Sequence, residues 1–355
     1  MTFTSPPNLY QSVLESSRKC RENSKIEIKR DAIVRFLTEL TEESWSQNSV
    51  ANGMSFPLKF ESLEQECNIL GLIDILNTGH GFRKELHESC DRGAFETIVF
   101  GVMSFHIGST STTADSLSRL TSWEVASHFG LEIEQDVPTN LPHVTMSKPT
   151  ELAKLAKQIQ EVLNETGRIL QEKGFKTFGA FVIDAAKQAN RSAEKFSEAL
   201  INTFPAFQDA TELDGQPLYV FKKALLLAST LQRRFATTEP IFDFKDIHKS
   251  PIFADNVIPT MLVHFGMLEI PVNLKHTVIE GASTSVEESY RLRAAAIDVC
   301  HEIAMMANSS EIKTQVDFNV KPMLEVDLDV YLWRVAKEPQ YRKIPRFHCK
   351  ETIFF

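Results

Sequence analysis

A mostly α-helical protein is predicted, on three observations. Long stretches place apolar residues at the i, i+3, i+4, i+7 spacing that gathers them on one helix face. Strong stop signals cut those stretches, among them Asn77-Thr78-Gly79-His80-Gly81, Gly174 and Phe204-Pro205. Strand signals are few, and there is no internal repeat or low-complexity segment. The chain has 355 residues, enough for one large or two ordinary domains, and its 43% hydrophobic and 24% charged content is that of an ordinary soluble globular protein.

In chain order, residues 8–45 alternate apolar and charged groups at helical spacing, with Ile33, Phe36, Leu37 and Leu40 in register. Residues 46–59 are a polar, turn-rich break holding Asn52-Gly53 and Pro57. Leu63, Ile69, Leu70, Leu72, Ile73 and Leu76 form the next stripe. Phe95 to Ile107 is apolar and partly β-branched, and periodicity leaves strand and buried helix both open. Ser109 to Thr113 is a small polar loop. Thr121-Ser122-Trp123-Glu124 has capping-box spacing and predicts a short helix closed by Gly130. Pro138, Pro142 and Pro149 make 134–149 an extended connector. It is read as a surface loop on one compact body spanning 1–355. The alternative is a divide between an N-terminal subdomain 1–133 and a helical part 150–355.

The clearest helix runs from about 149 to 173, where Leu152, Leu155, Ala156, Ile159, Val162, Leu163, Ile169 and Leu170 form one stripe. Further helices are predicted over 181–202, 218–235, 257–268, 286–307 and 326–338, followed by a basic and then apolar tail.

The formal net charge of −9 argues against a protein that lives on a long nucleic-acid backbone, where a basic face supplies much of the affinity. It leaves room for a nucleotide monomer, which needs one or two cations. The short basic groups Arg233-Arg234 and Arg342-Lys343 read as solvated surface. Five cysteines (Cys20, Cys67, Cys90, Cys300 and Cys349), widely spaced and without C-x-x-C, suggest neither a disulfide framework nor a zinc site. No apolar run reaches signal-peptide or membrane-spanning length. The expectation is a reducing compartment, the cytoplasm or also the nucleus, with no membrane and no obligate protein partner. Gly79-His80-Gly81 follows a helix and is no dinucleotide fingerprint. There is no phosphate-binding G-x-x-x-x-G-K-[S/T], no H-E-x-x-H and no G-x-S-x-G, and the ten histidines show no ligand spacing, so no metal is expected.

One segment stands apart. Phe253-Ala254-Asp255-Asn256-Val257-Ile258-Pro259 puts an acid inside an apolar run, and a carboxylate there is costly to bury unless paired or used. Lys222-Lys223 lies upstream beside Phe221 and Leu225 to Leu227, which mark a buried segment. Asp329 lies downstream in Leu328-Asp329-Val330-Tyr331-Leu332-Trp333. A lysine, two acids and several aromatics suit an aromatic base and the sugar attached to it. From sequence alone Asp255 is also well placed to cap a helix beginning near Val257, and both roles can hold at once.

These residues resemble a known family. Leu163-Asn164-Glu165-Thr166-Gly167-Arg168-Ile169-Leu170 resembles the L-N-E-T-G-x-I-L of the queuosine salvage proteins, the queuosine 5′-phosphate N-glycosylase/hydrolases. Asn190-Arg191-Ser192-Ala193 and Phe204-Pro205-Ala206-Phe207-Gln208-Asp209 resemble their N-S-A and F-P-S-Y-R-D. Phe221-Lys222-Lys223-Ala224 resembles F-Y-K-R-A. Phe253-Ala254-Asp255 with Pro259 resembles F-A-D-Y-R-x-P-Q, Val263-His264-Phe265-Gly266 the H-L-G after it, and Leu328 to Trp333 resembles L-D-Y-Y-L-W. Several motifs in one order, over about 160–340, are hard to obtain by chance.

The resemblance implies an all-α body similar to helical DNA glycosylases. It implies hydrolysis of the N-glycosidic bond of queuosine 5′-monophosphate, releasing queuine for tRNA modification, without metal or organic cofactor. Asp255 would stabilise the positive charge that develops on the sugar or orient a water. Lys222 would bind the 5′-phosphate or support Asp255, with Lys223 as the alternative one residue on. Phe253 would stack on the base or wall the pocket, and Asp329 would accept hydrogen bonds from the base edge. The chain departs from the family where Val330 replaces a Tyr, Arg334 an acid and Val257 an arginine. His80 stands in for an N-terminal histidine that has no clear counterpart. A cation at Arg334 would read a carbonyl or phosphate. The alternative is a helical base-binding protein that kept the pocket and lost turnover; a DNA glycosylase is disfavoured by the net charge.

Overall fold

Helix signals become helices almost wherever the sequence puts them, and the exceptions surround the residues of interest. The computed structural model describes residues 3–49, 59–108, 110–141, 143–313 and 322–355. Asn52-Gly53, Pro57, Ser109 and Pro142 lie outside the described residues. The chain falls into two compact units, Met1–Pro57 with Ala186–Glu351, and Leu58–Ala185 with Thr352–Phe355. Among the described residues no helix is long and apolar enough to cross a membrane.

The first unit opens with α1 (Leu9–Asn23), the two-residue strand β1 (Glu27–Ile28), α2 (Arg30–Glu39) and α3 (Glu42–Ser49). The second unit then takes over with α4 (Leu63–Ile75), α5 (Arg83–Cys90), α6 (Ala94–Ile107), α7 (Ala114–Leu117) and α8 (Ser122–Phe129). Phe95 to Ile107 is thus helix rather than strand. Gly101 shows why: a Cβ there would lie 2.2 Å from Phe129 Cδ1, so α6 uses the bare backbone to approach α8 closely. The capping box expected at Thr121 and Glu124 forms, and Gly130 closes α8. Residues 134–149 are extended, as two strands β2 (Glu134–Pro138) and β3 (Thr145–Pro149) paired antiparallel as a hairpin within this unit. The amphipathic stripe folds as α9 (Leu152–Glu172), followed by α10 (Phe178–Gln188).

The helix expected over 181–202 is broken. α10 ends at Gln188 and α11 (Ala193–Thr203) starts afresh, because Asn190 and Arg191 adopt left-handed φ of 49° and 65°. Asp246 holds the break, accepting from the Ser192 hydroxyl and the Ala193 amide, each at 2.6 Å. The helix expected to start at 218 also starts later. Residues 210–219 form a hairpin, β4 (Ala210–Leu213) and β5 (Gln216–Tyr219), turned at Asp214-Gly215 with both φ positive at 53° and 69°. That turn twists as adjoining strands do, which favours Asp-Gly there. α12 (Lys222–Phe235) follows.

Next come α13 (Val257–His264), β6 (Leu268–Glu269), α14 (Val272–Ile279), α15 (Val286–Ala307), α16 (Ser310–Lys313), α17 (Glu325–Val335) and α18 (Pro339–Arg342). α13 stops short of 268 because Leu268 and Glu269 pair antiparallel with Ile28 and Glu27. α15 is the axis of the first unit: α1, α13 and α17 pack against it, and Leu292 through Cys300 is buried almost without interruption.

Candidate active site

Two acids and a lysine converge within the first unit, each delivered by the start or inner face of a helix. Lys222 is the first residue of α12, reached through Phe221, a buried non-glycine residue at φ 50°, ψ 32°. That left-handed conformation is strained and persists only when its surroundings enforce it. Asp209 enforces it. Its backbone carbonyl accepts from the amides of Val220 (3.0 Å) and Phe221 (3.1 Å), and its carboxylate Oδ2 accepts from the Lys222 amide at 3.2 Å. Lys222 is 2% exposed. Burial pulls its ammonium down to about 8, against the pull of Asp255 in the other direction. Lys223, fully buried, is driven well down by burial and by the neighbouring Lys222 charge.

Asp255 closes the irregular segment before α13. Its Oδ1 accepts from the amides of Val257 at 2.7 Å and Ile258 at 3.4 Å, so it meets the first amides of α13 from the position before the N-cap, Asn256, whose own side chain makes no cap bond. The positive end of α13 therefore favours a negative charge on this buried carboxyl. Asp329 projects from the buried side of α17, where Oδ2 accepts from the Phe253 amide at 2.9 Å. Burial raises its carboxyl to about 7, and the adjacent Asp255 charge adds to the rise. Near neutrality Asp329 is thus divided between an acceptor and a protonated donor, rather than the acceptor alone that the resemblance implies. Arg233 on α12 fixes the start of α17, donating to the Val326 carbonyl at 3.0 Å and to Asp327 Oδ1 at 2.7 Å.

Lys222, Phe253, Asp255 and Asp329 are therefore gathered into one buried constellation. Phe253 is buried, and its backbone amide is the one that donates to Asp329. Val330 is half-buried, and Arg334 shares its face of α17 one turn on; Arg334 donates to the Gln47 carbonyl of α3 at 3.1 Å. Successive helix residues point about 100° apart, so these two occupy a different face from Asp329. His80 belongs to the other unit, opening a short 3₁₀ turn, His80–Phe82, behind the left-handed Gly79.

Two further residues build the site without having been singled out. Arg293, wholly buried on α15, donates through Nε to the Ala254 carbonyl at 2.8 Å and through both terminal nitrogens to the oxygens of the wholly buried Asp209, Nη1 to Oδ1 at 3.0 Å. The signal was in the sequence: Tyr290, Arg293, Ile297, Cys300 and Ala304 follow helical spacing, and a charge sits in that otherwise apolar stripe.

Buried carboxyls and a lysine at helix starts define a class of site that can stabilise or neutralise positive charge away from bulk water. The particular family follows from comparison with known proteins. The family model described as queuosine salvage protein matches residues 118–355, and the chain belongs to that family. A Bos taurus relative named queuosine 5′-phosphate N-glycosylase/hydrolase is 26% identical over 218 residues, 60% of this chain and 62% of that protein. A Mus musculus relative of the same name is 25% identical over 301 residues, covering 77% of this chain and 86% of that protein. A third, from Sphaerobacter thermophilus, is 28% identical over 241 residues, 66% of this chain and 71% of its own.

Proposed function

We propose that this protein hydrolyses the N-glycosidic bond of queuosine 5′-monophosphate, releasing queuine and ribose 5-phosphate. One water is consumed. Its oxygen bonds to C1′, the electron pair of the breaking C–N bond stays with the base, and a proton from the water ends on the base nitrogen. The observation that carries the reading is the burial of Asp255 beside Lys222 and Asp329 in a chain of this family. As the C–N bond loosens the sugar gains positive charge, and a carboxylate already desolvated and oriented by a helix start meets that charge without reorganising. The cap occupies Oδ1, so holding Asp255 in place and using its charge are compatible.

Asp329 and Phe253 are assigned to the base, the first by hydrogen bonds to its edge and the second by its ring. Lys222 lies deep enough that its electrostatic support of Asp255 is favoured over a purely phosphate-binding role. Val330 and Arg334, on a neighbouring face of α17, are assigned to the periphery of the substrate; His80, in the other unit, is given no part in it. The test is direct incubation with queuosine 5′-monophosphate, following free queuine by chromatography. Wild type should release base and Asp255→Ala should not. Binding of the nucleotide by both proteins with release by neither would instead make this a binding protein.

A further inference from the structure

The geometry points to Arg293 and Asp209 as the positioning pair that sets Lys222 and Asp255 relative to one another. This rests on the hydrolytic reading above and adds two residues that it does not use. Lys222 and Asp255 come from segments 33 positions apart in sequence, one at the start of α12 and one before α13. Neither segment is regular where it meets the site: Phe221 is left-handed, and residues 251–256 carry no regular secondary structure, with a bend at Asn256. Helix packing alone therefore does not fix either residue.

Arg293 and Asp209 supply a bridge. Asp209 grips residues 220–222 through its carbonyl and Oδ2, and Arg293 grips Ala254, the residue before Asp255, through Nε. The bidentate ion pair between them joins the two grips. Both side chains are 0% exposed, so the link is dry and its direction is set by the planar guanidinium. The sequence of contacts runs from the Lys222 amide to Asp209, to Arg293, to the Ala254 carbonyl. A buried ion pair is a poor way to gain stability, since well-packed apolar residues of similar volume often do as well. Its retention at this point is explained by geometry: no apolar pair holds an amide on one side and a carbonyl on the other.

Arg293→Lys tests this, because lysine keeps the charge facing Asp209 but has no fork with which to hold Ala254 at the same time. With queuosine 5′-monophosphate as substrate, kcat should fall by about 10²-fold, the loss expected for a misplacement near 1 Å. KM should stay within about threefold, since ground-state binding is not what is lost. Amide hydrogen exchange followed by mass spectrometry should quicken by about tenfold in both 219–225 and 252–258, with α1 unchanged. Turnover within about threefold of wild type would overturn the proposal, as would faster exchange in only one segment or uniformly along the chain. If Arg293→Lys does not fold, Asp209→Asn is the second variant: it keeps an acceptor for the Lys222 amide and weakens only the link to Arg293. It should show the same two loosened segments, and unchanged exchange would sink the pairing. Should wild type prove inactive, the hydrolytic reading falls, while the exchange measurement still decides whether the pair couples the two segments.

Discussion

The two units of this chain are built on opposite terms. Among the described residues of the first unit, the side chains of Asp209, Lys222, Lys223, Asp255, Arg293, Asp298 and Asp329 are buried charged groups; in the second, Asp74 is the only one. The second unit packs helices by apolar stripes and bare backbone, as α6 does against α8 through Gly101. The first carries, besides an equally apolar core, a set of ionisable groups that a fold selected for stability alone would avoid. The difference separates what the second unit is optimised for, packing, from what the first is optimised for, a charged interior.

The largest expected effect tests that separation at its centre. Asp255→Asn keeps an acceptor at the position of Oδ1, so the bonds from Val257 and Ile258 that start α13 survive. The negative charge does not. Release of queuine should fall by about 10³-fold or more, about 4 kcal/mol of transition-state stabilisation, while the melting temperature moves little. Equal loss of activity and melting temperature would make Asp255 a structural cap and dissolve the contrast between the units.

How much of this was legible beforehand follows the same divide. In the second unit α4, α8 and α9 were readable from stripe and stop, including the capping box at Thr121, because local periodicity and packing agree there; the short α5 and α7 carry no such stripe and were not predicted. Phe95 to Ile107 was ambiguous, since a continuous apolar run has no period to read. The helix boundaries that were misplaced fall mostly in the first unit. The break at Asn190-Arg191 is enforced by Asp246, more than 50 residues away. The late start of α12 is set by Asp209 and by the Asp214-Gly215 turn, the last of which was a readable hairpin signal. Lys222, Asp255 and Asp329 were found as charges in apolar surroundings and by family resemblance. Arg293 had the same first signature and no resemblance to draw attention to it.

A middle-sized effect belongs to the second unit and should be pure stability. Leu163 on α9 is fully buried. Leu163→Ala should lower the unfolding free energy by about 2–5 kcal/mol, the cost of lost burial plus a partly collapsed cavity. kcat on the fraction that remains folded should stay within about twofold of wild type. A drop in kcat without loss of stability would show that the second unit's core does more than pack.

The smallest effect sharpens the comparison, because it predicts a gain. Burial and the Asp255 charge push the Asp329 carboxyl up to about 7 in the fold, against about 3.9 in an unfolded chain. A group whose pKa is raised on folding binds its proton more tightly in the folded state. Ionising it therefore costs stability: the cost is absent below about pH 4, grows as pH rises, and is complete above about pH 7. Asp329→Asn keeps an acceptor for the Phe253 amide and removes the charge. It should stabilise the protein at pH 8 by about 1–3 kcal/mol and leave it nearly unchanged at pH 4. The same variant should bind substrate worse, and the fall in kcat/KM expected of wild type below about pH 7 should flatten in it, because the group that must ionise to accept from the base is gone. A stability change of equal size at both pH values would mean the charge at 329 is already compensated. The first unit would then bear no stability cost at this carboxyl, and its buried acids would have to be explained as structure rather than as chemistry.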